Sequence, residues 1–382
     1  MISLRIVAVL IMAVTVLSGC VQSLQRAHDA LEADAAAVAG YSGIRAYRDA
    51  RIDEAPENVN DWAPKAGSNN LDFLMISGGG AGGAFTVGVL AAWTDTQSRP
   101  NFDVVTGVST GALIAPYAFL GSAYDGALIQ LYTSGVAEDL VAPKGPLGLL
   151  GSSLLKSEPL RQMVERFITP AVLDQIASEH RKGRRLLVLT TNLDSQRAVV
   201  WNMGAIAASG HPDALKLFQD VMLASASIPG VYPAVTIEAE TRGRQFVELH
   251  SDGGAASQVS ILPQALLTST NSLRPSRKQK ANFYVIVNNA LMPEFGLTTN
   301  KTISVMAKAY SIFLKSQAQS ELVALHSYAK RTGAGFHLAT INAQVPYSML
   351  DPFDTDYMRA VYDLGYKGTV AGTLWKDTPL FR

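Results

Sequence analysis

Cysteine is nearly missing from this chain: Cys20 is the only one among 382 residues. No intramolecular disulfide can therefore staple the fold, whatever the redox compartment. Charge is scarce as well, at 17% of residues, and it is balanced, with 32 Lys plus Arg against 32 Asp plus Glu. A balanced chain has no long-range field of one sign to gather a polyanion, which argues against nucleic acid as a partner. Past the amino terminus, charged residues, glycines and prolines interrupt every apolar run well short of the roughly eighteen residues that a membrane span needs. Internal repeats and low-complexity tracts are lacking too. What is abundant is hydrophobic content, 48% of the residues, which can fill a large core and excludes disorder, collagen and coiled coil.

The lone cysteine sits at an informative boundary. Before it come one cation, Arg5, an unbroken apolar run over residues 6–17, and then Ser18-Gly19. A run of about twelve residues is too short for a hydrocarbon core of roughly 30 Å, but it suits the apolar region of a cleaved leader. Leu17-Ser18-Gly19-Cys20 resembles the lipobox of bacterial lipoproteins. The resemblance implies a signal peptide over 1–19 and a Cys20 acylated with chains such as palmitate. Such chains would hold the protein on a membrane surface without spanning it, each buried CH₂ contributing about 0.8 kcal/mol. Gln22, where an Asp would signal the inner membrane, points to the periplasmic side of the outer membrane in a bacterial cell envelope.

Residues 20–70 read as a lipidated amino terminus and tether, Ala-rich and charged at first and then turn-like, with a helix or two. From 71 the pattern changes. Residues 71–77 read as an apolar strand, followed by Gly78-Gly79-Gly80-Ala81-Gly82-Gly83 and by helical spacing over 84–93. A second strand, turn and helix follow at 102–108, Ser109 and 110–120. Two such units in succession imply parallel strands covered by helices on both faces. Further strands are expected at 185–192, 198–203, 246–250 and 282–288, with helices at 159–167, 213–226 and 301–331. Residues 143–157 read as a mobile apolar loop. The fold class is thus α/β, three layers around a mainly parallel central sheet, in one catalytic domain over 71–382.

Gly107-Val108-Ser109-Thr110-Gly111 fits G-x-S-x-G between a strand and a helix. A serine on so tight a turn has strained backbone angles, and glycines on either side remove the side chains that would collide there. Its hydroxyl then stands at the carboxyl end of the strand, where α/β sheets place their ligands. The glycine run admits two chemistries. Gly78-x-Gly80-x-x-Gly83 matches a dinucleotide fingerprint, but the end of the following strand holds the serine turn instead of the acidic residue that a ribose requires. In the other chemistry, amides freed by glycine face the oxygen of a tetrahedral intermediate, each donor contributing about 3 to 4 kcal/mol of transition-state stabilisation.

A serine nucleophile needs a base within hydrogen-bond reach. None of the six histidines, His28, His180, His211, His250, His326 and His337, lies in a recognisable base motif. Strand 246–250 instead delivers Ser251-Asp252-Gly253-Gly254, a carboxylate where the chain turns at the sheet edge.

With Gly78 to Gly83, Gly107 to Gly111 and Asp252 to Gly254 in that order, and Ala224-Ser225-Ala226-Ser227-Ile228-Pro229-Gly230 ahead of the aspartate, the sequence resembles the patatin-like phospholipases. The resemblance implies a serine acyl hydrolase that cleaves lipid or other carboxylic esters through an acyl-enzyme, with Ser109 as nucleophile and Asp252 as base. The oxyanion role then falls on the amides of Gly79, Gly80 and Ala81, and the reaction calls for neither metal nor cofactor. One position departs from the pattern: the family carries Arg or Lys before the last glycine of the block, and Gly82 stands there instead. Simple ester hydrolysis tolerates that loss better than recognition of a phosphate does. Two alternatives stay open at this point. One is an α/β-hydrolase triad with His326 or His337 as base, and the other is a non-enzymatic envelope lipoprotein that binds acyl chains.

Overall fold

The structure, a computed structural model, describes residues 26–51, 62–65, 70–140, 153–259, 280–293, 295–343, 345 and 353–379. The expected leader, Cys20 and positions 143–152 of the expected apolar loop lie outside the described residues.

Side chains alternate along the strand Asn70–Ile76, with Leu71, Phe73 and Met75 entering one buried cluster and Leu74 and Ile76 another. Burial on both faces is what a covered parallel sheet demands of its inner strands. The strands are β1 (Arg45–Tyr47), β2 (Asn70–Ile76), β3 (Val104–Val108), β4 (Arg185–Asn192), β5 (Arg197–Asn202), β6 (Val235–Thr241), β7 (Arg244–Asp252), β8 (Lys280–Val287) and β9 (Gly335–Thr340). They form one sheet in the order β1-β5-β4-β3-β2-β8-β9, with β7 joined to β4 and β6 to β7. From β4 through β9 the neighbours run parallel, while β1, β5, β6 and β7 add antiparallel pairings. The α/β class is as expected, but the sheet is mixed and not mainly parallel: among the described residues four strand pairings are parallel and four antiparallel, because β1, β5 and the β6–β7 hairpin add to one side of the parallel core.

The helices are α1 (Ala30–Asp34), α2 (Gly83–Asp95), α3 (Thr110–Leu120), α4 (Asp125–Thr133), α5 (Glu158–Phe167), α6 (Pro170–Arg181), α7 (Met203–Ala208), α8 (Ala214–Ser225), α9 (Thr302–Thr332) and α10 (Thr355–Val370). Helices α2 to α8 and α10 bury their apolar sides in the larger cluster, with Leu74 and Ile76. On the other face Ala318, Leu322, Leu325 and Ala329 of α9 pack over Phe73, Met75 and Val285. Sheet and helices thus make three layers.

The expected tether behaves otherwise. Residues 45–47 hydrogen-bond antiparallel to β5 and close the sheet at that edge. Trp62 is fully buried and its indole N–H donates to the Gly43 carbonyl at 3.1 Å. Arg45 forms an ion pair with Glu248 of β7, whose side chain has no exposure. Burial alone would raise the Glu248 carboxyl, but Arg45 and His250 hold it down to about 2. Turn-forming residues around this stretch disguised it, and a three-residue strand is too short to show periodicity. Arg45→Met strands a buried carboxylate, so it should cost about 3 kcal/mol of stability. Urea titrations of both proteins at neutral pH measure it, and an unchanged midpoint would show that His250 alone suffices.

Candidate active site

The carboxyl ends of β2, β3, β7 and β8 meet at one rim, and the chemistry gathers there. β3 runs into α3 through Ser109, whose backbone angles, φ 56° and ψ −125°, are costly for a residue with a side chain. The neighbours that allow the turn cannot be larger. A methylene at Gly111 would lie 2.3 Å from the Ile76 carbonyl oxygen, and one at Gly107 would lie 2.4 Å from that of Gly111. The turn is held by its amide, which donates to Ser225 Oγ at 3.1 Å. Ser225 ends α8, inside the segment that the sequence associates with the aspartate.

Asp252 is the last residue of β7. Its N–H donates to the Ser227 carbonyl at 2.9 Å, and its own carbonyl accepts from Thr191 Oγ1 at 2.9 Å, which pins the strand end. Ser109 Oγ donates to Asp252 Oδ2 at 2.5 Å, and the Gly254 amide donates to Oδ1 at 2.7 Å. Gly253 packs against the Leu189 carbonyl, and with Gly254 it opens the turn after the strand. Burial pushes the Asp252 carboxyl up to about 7, although the Ser109 and Gly254 hydrogen bonds oppose it. Losing hydration disfavours the charged form more than two donors restore it.

Gly78, Gly79 and Gly80 line the same cavity as Ser109 and Asp252. Gly79 and Gly80 stand at the start of a helical turn that continues through Gly83 into α2, where amides have no acceptor within the helix. Ala81, the expected third donor, is not among the residues that line the cavity, and its methyl is buried in the core. Ile228, Val231, Tyr232, Leu314, Ile341 and Phe353 make an apolar wall.

Sequence reasoning missed the groups that brace the glycine run. Asn288, just past β8 and fully buried, donates through Nδ2 to the Ser77 carbonyl at 2.9 Å and accepts at Oδ1 from Thr86 Oγ1 at 2.6 Å. Its amide donates to Ser77 Oγ at 3.0 Å. A methylene at Gly82 would lie 2.0 Å from the Asn288 carbonyl oxygen, so a side chain there would have to displace the backbone just past β8. Gln258 spans from the D-G-G turn, where Nε2 donates to the Gly254 carbonyl at 2.9 Å, toward Gly78. Glu321 of α9 holds the following turn, accepting from the amides of Gln258 and Val259 at 2.9 and 2.8 Å. Tyr310 also lines the cavity, its hydroxyl pushed up by burial and by the nearby Asp252 charge. Only partnerships across the sheet could have revealed these residues.

No histidine lines the cavity. His28 stacks on Phe246 and His337 on Tyr284, His211 lies tilted against Tyr41, and His326 meets Phe336 edge-on. His250 hydrogen-bonds Thr190 and Glu248, and His180 packs under Gly204. A histidine-based triad has no base at this rim.

No curated protein matches the chain. Solved structures that resemble it include VipD from Legionella pneumophila, at 12% identity and TM-score 0.34, covering 81% of this chain and 68% of that one. The type III effector ExoU matches at 13% and 0.28, over 81% and 54%. Human GIVD cytosolic phospholipase A2 in complex with methyl gamma-linolenyl fluorophosphonate matches at 12% and 0.24, over 78% and 46%. The chain therefore spans about half the length of the latter two. The family description "Patatin-like phospholipase" matches residues 74–263, a stretch that contains the glycine block, the serine turn and Asp252. Over residues 74–263, then, the chain carries a patatin-like phospholipase domain, the domain of a lipolytic hydrolase.

Proposed function

We propose that the protein hydrolyses carboxylic esters of lipids with a Ser109–Asp252 dyad and an acyl-enzyme intermediate. The observation that carries this reading is the 2.5 Å hydrogen bond from Ser109 Oγ to Asp252 at the floor of an apolar-walled cavity. As Ser109 Oγ attacks the ester carbonyl carbon, its proton passes to Asp252. The carbonyl oxygen becomes an oxyanion facing the amides of Gly79 and Gly80, which stabilise charge that the ground state lacks. When the tetrahedral adduct collapses, the carbon–oxygen bond to the alcohol breaks and Asp252 returns the proton to the departing oxygen. Water then enters, gives its proton to Asp252 and attacks the Ser109 ester. The acid leaves, and the proton goes back to Ser109 Oγ. An ordinary carboxylate near 3.9 is a weak acceptor for an alcohol proton. A carboxyl raised by burial to about 7 is better matched to the task at neutral pH.

Because the base must be ionised, kcat/KM should fall on the acid side with a midpoint near 7, tenfold for each pH unit below it. A profile flat from pH 5 to 8 would contradict Asp252 as the base. The direct test is covalent labelling with a long-chain fluorophosphonate, followed by mass spectrometry of the modified peptide. A label on Ser109, lost in Ser109→Ala, is the expected result; an unlabelled Ser109 favours the acyl-chain-binding lipoprotein. The substrate class accords with the wall of Ile228, Val231 and Leu314, which suits an acyl chain. The same proposal puts the protein on the envelope surface through an acylated Cys20, and radiolabelled palmitate incorporation that survives Cys20→Ser would refute that attachment.

A further inference from the structure

Helix α9 has two unlike sides. Its inner side gives Tyr310, Ser311 and Leu314 to the cavity wall and, further on, Ala318, Leu322 and Leu325 to the core. Its outer side carries Val305, Met306, Ala309, Ile312 and Phe313, all exposed, and their helical spacing groups them into one stripe. The loop before the helix adds Phe295 and Leu297, at 94% and 92% exposure. That loop lies along α9, since the carbonyls of Leu291 and Met292 accept from Gln319 and Lys315 at 2.8 and 3.3 Å. A cluster of bare large apolar side chains on the helix that walls the cavity marks a contact surface.

Charge says what meets it. Lys308 and Lys315, seven positions apart, fall on one flank of the stripe, Lys301 stands just before the helix, and between Glu294 and Glu321 there is no Asp or Glu. A chain with no net charge thus concentrates cations around its most exposed apolar stretch. A second copy of the chain docked there antiparallel, about a twofold axis across the helix, would bring like rows of lysine together. An anionic lipid surface satisfies both parts, with acyl chains for the stripe and headgroups for the lysines.

We propose that the outer face of α9, with Phe295 and Leu297, seats the protein on an anionic lipid surface and so presents the cavity mouth to the lipid. The inference deepens the lipid-ester reading and rests on it for the meaning of the cavity. Catalysis on dispersed molecules needs no such seat, whereas catalysis on a bilayer does.

In the full chain, Cys20→Ser removes the only native thiol and leaves room for a single reporter. An environment-sensitive fluorophore at Phe313→Cys or Phe295→Cys should shift to the blue on phosphatidylcholine vesicles containing phosphatidylglycerol. A label at Lys367→Cys, on α10 across the sheet, should not respond. Lys301→Glu with Lys308→Glu should weaken vesicle binding about tenfold or more. The same pair should leave hydrolysis of a short soluble ester within about twofold, since neither residue touches the cavity. A silent label at both positions, with hydrolysis of the soluble ester intact, overturns the proposal. So does a lipid-independent shift that grows with protein concentration alongside dimers in sedimentation, which would make the face a self-interface. If the labels respond to vesicles while the unmodified chain hydrolyses no ester, the lipid seat stands and the lipolytic reading falls.

Discussion

Asp252→Asn should lower kcat/KM for a lipid ester about 10⁴-fold while making the protein harder to unfold at pH 8. The activity falls because Ser109 loses the carboxylate that accepts from its hydroxyl, and an amide cannot take the proton. The stability gain has the opposite origin. Burial raises the Asp252 carboxyl from 3.8 to about 7, so its folded form prefers to be protonated. Below pH 4 the group is neutral in both states and costs nothing. Between 4 and 7 the unfolded chain ionises freely and the folded one resists, so stability drains away as pH rises. Above 7 the loss is complete, up to about 4 kcal/mol for a shift of this size. Asparagine carries no such penalty, so the variant's advantage in urea should appear above pH 7 and vanish near pH 4. A variant less stable than the parent at pH 8 would show that the carboxylate is well accommodated, and Asp252 would then lack the basicity asked of it. Ser109→Ala should abolish activity to a similar extent without this pH signature.

Gly82→Arg, which restores the cation found in the family, should damage the enzyme instead of improving it. Its methylene would arrive 2.0 Å from the Asn288 carbonyl oxygen, and that oxygen belongs to a backbone anchored on Ser77 and Thr86. Either the glycine run or the end of β8 must move. Displacing one oxyanion donor costs about 10² to 10³ in kcat, and overpacking so tight a contact costs about 1 to 3 kcal/mol of stability. Rates on soluble esters and thermal unfolding together report the two losses. Wild-type behaviour in both would mean that Asn288 yields easily and does not brace the loop. The same contact bears on substrate choice. Without a cation at 82, Lys315 is the one basic side chain among the described residues of the cavity lining.

The serine turn, the glycine run and the D-G-G turn were legible because each is a local device in which adjacent residues make the chemistry together. Their convergence was legible in outline, since two strand-turn-helix units in succession place both turns on the same sheet rim. Asn288 was not legible: its partner Ser77 lies 211 positions away and meets it only because β8 runs parallel beside β2. Gln258 and Glu321 are linked across 63 positions in the same way. Residues 235–241 escaped as a strand because their exposed face carries Thr236 and Glu238 and their partner is a neighbouring hairpin strand. β9 and α10 escaped because their apolar residues are dispersed among Gly, Tyr and charged positions, and only contact with β8 and α2 gives those residues a common side. Amide donors pose a related problem. The sequence offered Gly79 and Gly80 with Ala81 beside them, and packing places the alanine's methyl in the core while the two glycines line the cavity.

The short strand β1 reaches beyond its own size. It covers the outer edge of β5 and supplies the guanidinium that neutralises Glu248, four residues before Asp252. Trimming the polypeptide to the stretch that the family recognises would therefore uncover a sticky ribbon of unpaired amides and carbonyls. It would also maroon an anion in the interior. Such a fragment should be recovered as aggregate, so on the amino-terminal side the smallest soluble form is set by Arg45 and Trp62, not by the border of homology.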